Sequence, residues 1–371
     1  ALVTTLLILC AAEVALRVLG VDAAKRPYSG LSSSQYHHVN AANTEMLLGH
    51  YDGHAVVIRD NEDGLRCDLS RDEVLKYPER ILVMGDSFVW GMGVRQQKML
   101  TEVMQDSLRA RYGQDDVAVL AGAAISYSPL LLQRLYREVF SKYRPDIVFL
   151  VLDTSDIGDD IFYGKENVGT DSVPRFDLPD EKPNPHYLAV HQLARPLLER
   201  IGFNLMYPYY TFFRPNISRY DYYDFRLEIG GVVETNRFFI YRHPLSETRP
   251  YFDKTLSYIN RIAGDVRKDG ARFVLVVPPR YSQWSDRESP GNWEIRQYQY
   301  TKDDPYEFEF IRYFREAAPH LDYPVLDLLP AFQKTDRFPL VFHDDPHWND
   351  NGHDFVAGLL DDYLIERGWL K

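Results

Sequence analysis

Two cysteines in 371 residues are too few for a disulfide framework, and no Cys-x-x-Cys pair is present to seat a structural metal. Cys10 lies in an apolar stretch and Cys67 in a polar one, so the two are not expected to pair. Basic residues are also in deficit: Lys and Arg total 42 against 54 Asp and Glu, a formal net charge of -12. Nucleic-acid binding draws its affinity from clustered cations that displace counterions from phosphates, so no nucleic-acid partner is expected. Internal repeats and low-complexity tracts are missing as well. What is present, 45% hydrophobic and 26% charged residues, is the balance of a folded chain with ample core for one large domain or two ordinary ones.

Residues 1–20, ALVTTLLILCAAEVALRVLG, are apolar apart from Glu13 and Arg17. About 20 such residues cross a bilayer core, so this run is expected to be a transmembrane or membrane-anchor helix that tethers an extracytoplasmic domain, periplasmic or at the cell surface. Glu13 and Arg17 stand one helical turn apart and could pair near the interface. A cleavable signal peptide fits less well, because no small-x-small site follows at once. The alternative is an amphipathic helix docked on the domain. Lys25 and Arg26 bear on orientation, since positive charge tends to stay cytoplasmic. Residues 21–78 read as a polar leader packed on the main domain, with a β-like piece at Ala55–Arg59.

From residue 79 to 371 apolar strands alternate with helical spacing. Strand-like runs occur at Ile81–Met84, Val117–Leu120, Ile147–Leu152, Phe273–Val277 and Val325–Asp327. Helical stretches lie between and after them at Gln97–Tyr112, Pro129–Tyr143, Tyr251–Lys268, Glu307–Ala317 and Asp354–Arg367. Continuous apolar strands separated by helices mark a buried parallel sheet. The rhythm breaks over about 161–250, an insertion dense in Tyr and Phe from Phe203 to Phe225, and again near Trp284 and Trp293. The expected fold class is α/β, three layers built on one sheet.

Gly85-Asp86-Ser87 follows the first strand directly. In an open parallel sheet ligands bind at the carboxyl ends of strands, so the serine stands where chemistry happens. A Gly-Asp-Ser turn without a catalytic role is the default for so short a signal. The late stretch His343-Asp344-Asp345-Pro346-His347-Trp348-Asn349-Asp350-Asn351-Gly352-His353 changes the balance. Asp344 can set a carboxylate against one nitrogen of His347 and leave the other to act as base for a serine. Trp90 and Trp348, each beside one of these blocks, are candidate substrate-binding walls.

The segment ILVMGDSFVWGMGV, Ile81 to Val94, resembles the nucleophile block of the SGNH (GDSL-like) hydrolases, and DDPHWNDNGH, Asp344 to His353, resembles their terminal D-x-x-H block. More loosely, the similarity runs from about Asn61 to the end of the chain. The resemblance implies a flavodoxin-like α/β/α domain that hydrolyses esters, often acyl groups on sugars or lipids. It assigns Ser87 as nucleophile and amide donor, His347 as base and Asp344 as its orienting acid. The middle blocks depart from the pattern. Where the family has Asn-x-Gly this chain has Ala121-Gly122-Ala123, with Ala123 on the glycine position and Gly122 one place off. Where the family supplies an Asn side chain, Ser155 stands. Losing one oxyanion donor typically costs about 10²–10³ in turnover.

Three other readings stay open. The aspartates at 153, 156, 159 and 160, with His343, His347 and His353, offer ligands for a divalent metal, although a solvated acidic loop is the simpler account and no metal or other cofactor is expected. An O-acyltransferase would use the same triad and discharge its acyl group onto a glycan hydroxyl. A binding or scaffold protein would keep the fold and let the oxyanion site decay. For it the aromatic insertion, with Arg214, Arg219 and Arg226, could grip a glycan or anionic ligand. The expected function is a serine esterase or deacylase acting on acyl, chiefly O-acetyl, groups of an envelope glycan or lipid.

Overall fold

The computed structural model describes residues 2–18, 30–166, 176, 180, 226–292, 294 and 305–370. Five strands form one parallel sheet: β1 (Glu79–Gly85), β2 (Val117–Ala123), β3 (Ile147–Val151), β4 (Arg272–Val277) and β5 (Val325–Asp327). Their spatial order is β5-β4-β3-β1-β2, the 2-1-3-4-5 order of the flavodoxin-like doubly wound fold. The helices of this unit are α1 (Ser87–Trp90), α2 (Leu100–Tyr112), α3 (Pro129–Glu138), α4 (Asp156–Glu166), α5 (Leu245–Lys268), α6 (Glu309–Ala317), α7 (Leu329–Lys334) and α8 (Asp350–Glu366).

Side chains alternate across a strand, so a run that is apolar at every position must be covered on both faces. Leu82 and Met84 of β1, with Val148 and Leu150 of β3, pack under α3, α5 and α6. Ile81, Val83, Ile147 and Phe149 face the other way, against Leu100, Met104 and Leu108 of α2 and Val356, Leu360 and Leu364 of α8. These helices bring an apolar residue round every three or four positions, as one buried stripe requires. The sheet's carboxyl edge, where Gly85 and Ala123 stand side by side in register, is thereby held between two packed layers.

Helix boundaries move where capping decides them. α5 starts at Leu245, not after Pro250, because a proline in the second turn removes only one early hydrogen bond while Leu245 and Thr248 stay buried. α8 starts at Asp350, since Asn349 caps it by accepting from the amides of Asn351 and Gly352.

The N-terminal helix, Leu2–Val18, is 17 residues long. Among the described residues no helix is long and apolar enough to cross a membrane. The expected membrane helix, and the extracytoplasmic placement that rested on it, therefore find no support among the described residues.

Downstream of it, residues 30–78 form two hairpins, Leu31–Ser33 with His37–Val39 and Thr44–Tyr51 with His54–Asp60. A short helix, Arg71–Val74, follows behind a Ser70/Glu73 capping box. The stretch Phe203–Phe225, with Arg214 and Arg219, and Trp293 fall outside the described residues.

Candidate active site

β1 stops at a residue that has to be glycine. A Cβ on Gly85 would lie 2.6 Å from Cγ2 of Val89 and 3.1 Å from the carbonyl oxygen of Val151, so the chain can turn back this tightly only without a side chain. Asp86 then caps α1, its carboxylate accepting from the Phe88 amide at 2.9 Å, and Ser87 opens the helix at the sheet's carboxyl edge.

The histidine arrives from the other end of the chain on a folded-back loop. Val341 bridges Trp348 antiparallel, the Phe342 amide donates to the His347 carbonyl, and the Asn349 side chain donates to the carbonyls of Pro339 and Val341. Gly291 donates its amide to the His343 carbonyl, tying the loop to the excursion after β4. Fixed in this way, His347 places Nε2 2.7 Å from Ser87 Oγ across 260 residues of sequence.

The carboxylate behind the imidazole is Asp345, not Asp344. Oδ1 of Asp345 accepts the His347 amide at 2.9 Å and pairs with Nδ1 of the same residue, whereas Asp344 is exposed. The reason is local: a carboxylate two residues back can bond the amide and the ring at once in an Asx-type turn. One residue further back, the side chain leaves the turn for solvent. Because a carboxylate only accepts, Nδ1 carries the proton in the neutral ring, and Nε2 is the bare nitrogen that accepts from the Ser87 hydroxyl. Burial works against the imidazolium, but the charge and hydrogen bond of Asp345, helped by Asp86, outweigh it and hold the His347 pKa above its usual value.

The expected substrate walls are core residues. Trp90 and Trp348 are 0% and 1% exposed; Trp348 packs edge-on to Phe88, and Trp90 lies under the Arg66 guanidinium, 5.3 Å from its ring centroid. Neither faces solvent, so neither lines a surface for substrate. Bulk beside a motif serves the core here.

The middle blocks are also occupied with structure. A Cβ on Gly122 would touch Leu82 and Phe140 at 3.0 and 3.1 Å, so this glycine lets β2 pack into the core. Ala123 is buried, and its carbonyl accepts from Nδ2 of Asn40 at 3.0 Å. Ser155 donates both its amide and its hydroxyl to Oδ2 of Asp153, at 2.8 and 2.6 Å. Its hydroxyl is therefore committed to Asp153.

Asp153 in turn meets Arg280 at 2.6 Å, and Arg280 meets Glu294 at 3.0 Å. The Arg280 guanidinium stands 5.0 Å from the centre of the Phe88 ring, and the His347 ring lies 4.8 Å from the same ring. Burial resists the Asp153 charge, but Arg280 and the two bonds from Ser155 bring its pKa down. Burial, and then the Asp153 charge, push Asp86 up to about 7.

The remaining acids are engaged too: Asp159 with Arg237 at 3.0 Å, Asp160 with Thr255 and the Leu130 amide, and Asp156 with the Asp153 amide. No cluster of three potential metal ligands forms among the described residues. His343 is exposed, and His353 accepts the Leu100 amide at 2.9 Å with its pKa driven down to about 3 by burial. Asp345, Arg280, Arg66 and Asn40 escaped the sequence reading. Only Asp345, inside the recognised block, carried a signal there.

No family model and no curated protein matches the chain. Among solved structures it is similar to an acetyl xylan esterase (14% identity, 77% of this chain and 99% of that one, TM-score 0.40). It is also similar to a psychrotrophic esterase from Pseudoalteromonas sp. (13%, 79% and 98%, TM-score 0.39) and to an acetylxylan esterase from Geobacillus stearothermophilus (13%, 80% and 97%, TM-score 0.41). The 2-1-3-4-5 sheet, the serine at the end of β1 and the histidine ahead of α8 agree with the SGNH hydrolase fold that the sequence resembles.

Proposed function

We propose that this chain is an SGNH-type serine esterase or deacylase in which Ser87 attacks an acyl ester, His347 takes its proton and Asp345 orients His347. The 2.7 Å hydrogen bond from Ser87 Oγ to His347 Nε2 carries the reading. A serine hydroxyl is too weak an acid to ionise near neutral pH, so a bare imidazole nitrogen already in contact is what turns it into a nucleophile. Attack forms the Oγ–acyl carbon bond as the proton passes to Nε2. That imidazolium, held by Asp345, then protonates the departing alkoxide, and water discharges the acyl-enzyme with the same histidine as base. The developing oxyanion would sit at the Ser87 amide. An acylated glycan, O-acetylated in the first instance, is the substrate class the sequence resemblance implies, and a second hydroxyl in place of water would make the same acyl-enzyme a transferase.

The test is hydrolysis of an aryl acetate and of an acetylated oligosaccharide, alongside labelling by a serine-directed phosphonate. Ser87→Ala is expected to lose turnover by about 10⁴-fold or more and all labelling, and mass spectrometry of the trapped acyl-enzyme identifies the acyl group. Wild-type turnover and labelling in Ser87→Ala would remove the proposal.

A further inference from the structure

Ser87 stands on a helix of only four residues, Ser87–Trp90, too short to hold itself in place. What fixes its far end comes from upstream of the sheet. Arg66 is 1% exposed. Its Nη1 donates to the carbonyls of Trp90 and Gly91, both at 2.7 Å, and its Nη2 to the carbonyl of Val94 at 2.5 Å. Nε donates to the side chain of Gln96 at 3.0 Å. One planar guanidinium thus gathers the last carbonyls of the nucleophile helix and of the turn that follows it. Gly91, at φ 78°, makes room, since a Cβ there would lie 3.1 Å from Nη1.

The same segment grips the neighbouring strand end. Nδ2 of Asn40 donates to the carbonyl of Gly64, two residues before Arg66, at 2.8 Å, and to that of Ala123 at 3.0 Å. Ala123 is paired in register with Gly85, two residues before the serine. His38 adds a bond from Nε2 to the Ile125 carbonyl at 2.6 Å in the loop leaving β2. A carbonyl only accepts, so His38 carries its proton on Nε2. Residues 38–66 therefore bridge the two sheet-edge loops that flank Ser87.

We infer that Arg66 is a positioning residue for the proposed nucleophile, and that the upstream segment, through Arg66 and Asn40, is part of the active-site framework. The inference rests on the esterase reading for its kinetic consequence, but its geometric content stands without it. Lysine is a point charge on a flexible stem and cannot satisfy a planar set of four acceptors. A nucleophile displaced by about 1 Å loses about 10²-fold in rate.

The experiment compares Arg66→Lys, Asn40→Ala and a control on the same segment, Arg59→Lys, whose exposed pair with Asp68 faces solvent. Expected for Arg66→Lys is a fall in kcat and in the phosphonate labelling rate of about 10- to 100-fold, with KM within about twofold of the wild type. Asn40→Ala should fall in the same direction by less, and Arg59→Lys should match the wild type. Partial recovery of an Arg66→Ala variant by added guanidinium would tie the loss to the missing group. Full kcat and labelling in a folded Arg66→Lys overturns the inference. Should the wild type neither hydrolyse esters nor take the label, the esterase reading fails by itself. The inference is then decided by crystal structures, in which the Ser87–His347 hydrogen bond is expected to break in Arg66→Lys and overturns the inference if it persists.

Discussion

Asp344 and Asp345 differ by one position along the chain, and that position decides which carboxylate reaches the imidazole. Asp345 bonds both the amide and the ring of His347; Asp344 faces solvent. Asp345→Asn is therefore expected to lower kcat by about 10³–10⁴-fold, the cost of an unfixed tautomer and an uncompensated imidazolium. Asp344→Asn should stay within about twofold. The pH profile separates the two further. The base works only when neutral, so activity rises with pH through the His347 pKa, and because that pKa is raised the midpoint is expected above the ordinary 6.5. Removing the Asp345 charge leaves burial dominant and should carry the midpoint downward in Asp345→Asn. Equal losses in the two variants, or an unmoved midpoint, would contradict the assignment. The sequence block led to the loop and to the histidine that meets Ser87. It could not choose between adjacent acids, because that choice depends on a turn whose geometry the spacing does not encode.

At the scale of elements, the five strands were legible because each is apolar at consecutive positions. The contacts made by residues 30–78 were not, since Arg66 and Asn40 meet partners 24 to 83 residues away and belong to no motif. The Gly-His that ends the terminal block has a packing origin. A Cβ on Gly352 would lie 2.1 Å from the Leu340 carbonyl oxygen and 2.8 Å from Cβ of Trp348, while the His353 ring holds the first amide of α2. Backbone on one side and a core tryptophan on the other cannot yield, so Gly352→Ala has to push α8 away from the loop that carries His347. Overpacking of this kind costs about 1–3 kcal/mol or more, read by denaturant unfolding, and labelling of Ser87 should slow with it. Gly358, on the same helix, has nothing within 4 Å of an added Cβ, and Gly358→Ala is expected to stabilise by about 0.5–1 kcal/mol. If both variants shift stability alike, the close approach of α8 to Leu340 is not what demands a glycine.

Over the whole molecule, buried carboxylates set the response to pH. Burial pushes Asp159 and Asp160 up to about 6 and Asp60, Asp86, Glu102 and Asp361 up to about 7. An unfolded carboxylic acid ionises near 4, so between pH 4 and 7 the folded chain holds protons at these sites that the unfolded chain has released. Stability then falls as pH rises. Histidines oppose this at the acidic end. His37 and His38, brought down to about 4, and His353, to about 3, are neutral when folded, which adds stability as pH climbs toward 6.5 and nothing beyond it. His347, raised, contributes its stabilisation below 6.5 and loses it above. Above pH 6.5 every one of these contributions has the same sign or is spent, and a chain already at -12 gains only further self-repulsion. The melting temperature is accordingly expected to fall from pH 6.5 to pH 8. Salt screens exposed charges over a few ångströms but not buried ones, so most of the fall should survive 0.5 M sodium chloride. A melting temperature that is flat or rising over that interval, or a fall that vanishes in salt, would mean that the buried acids are ionised in the folded state and that surface charge alone governs the pH response.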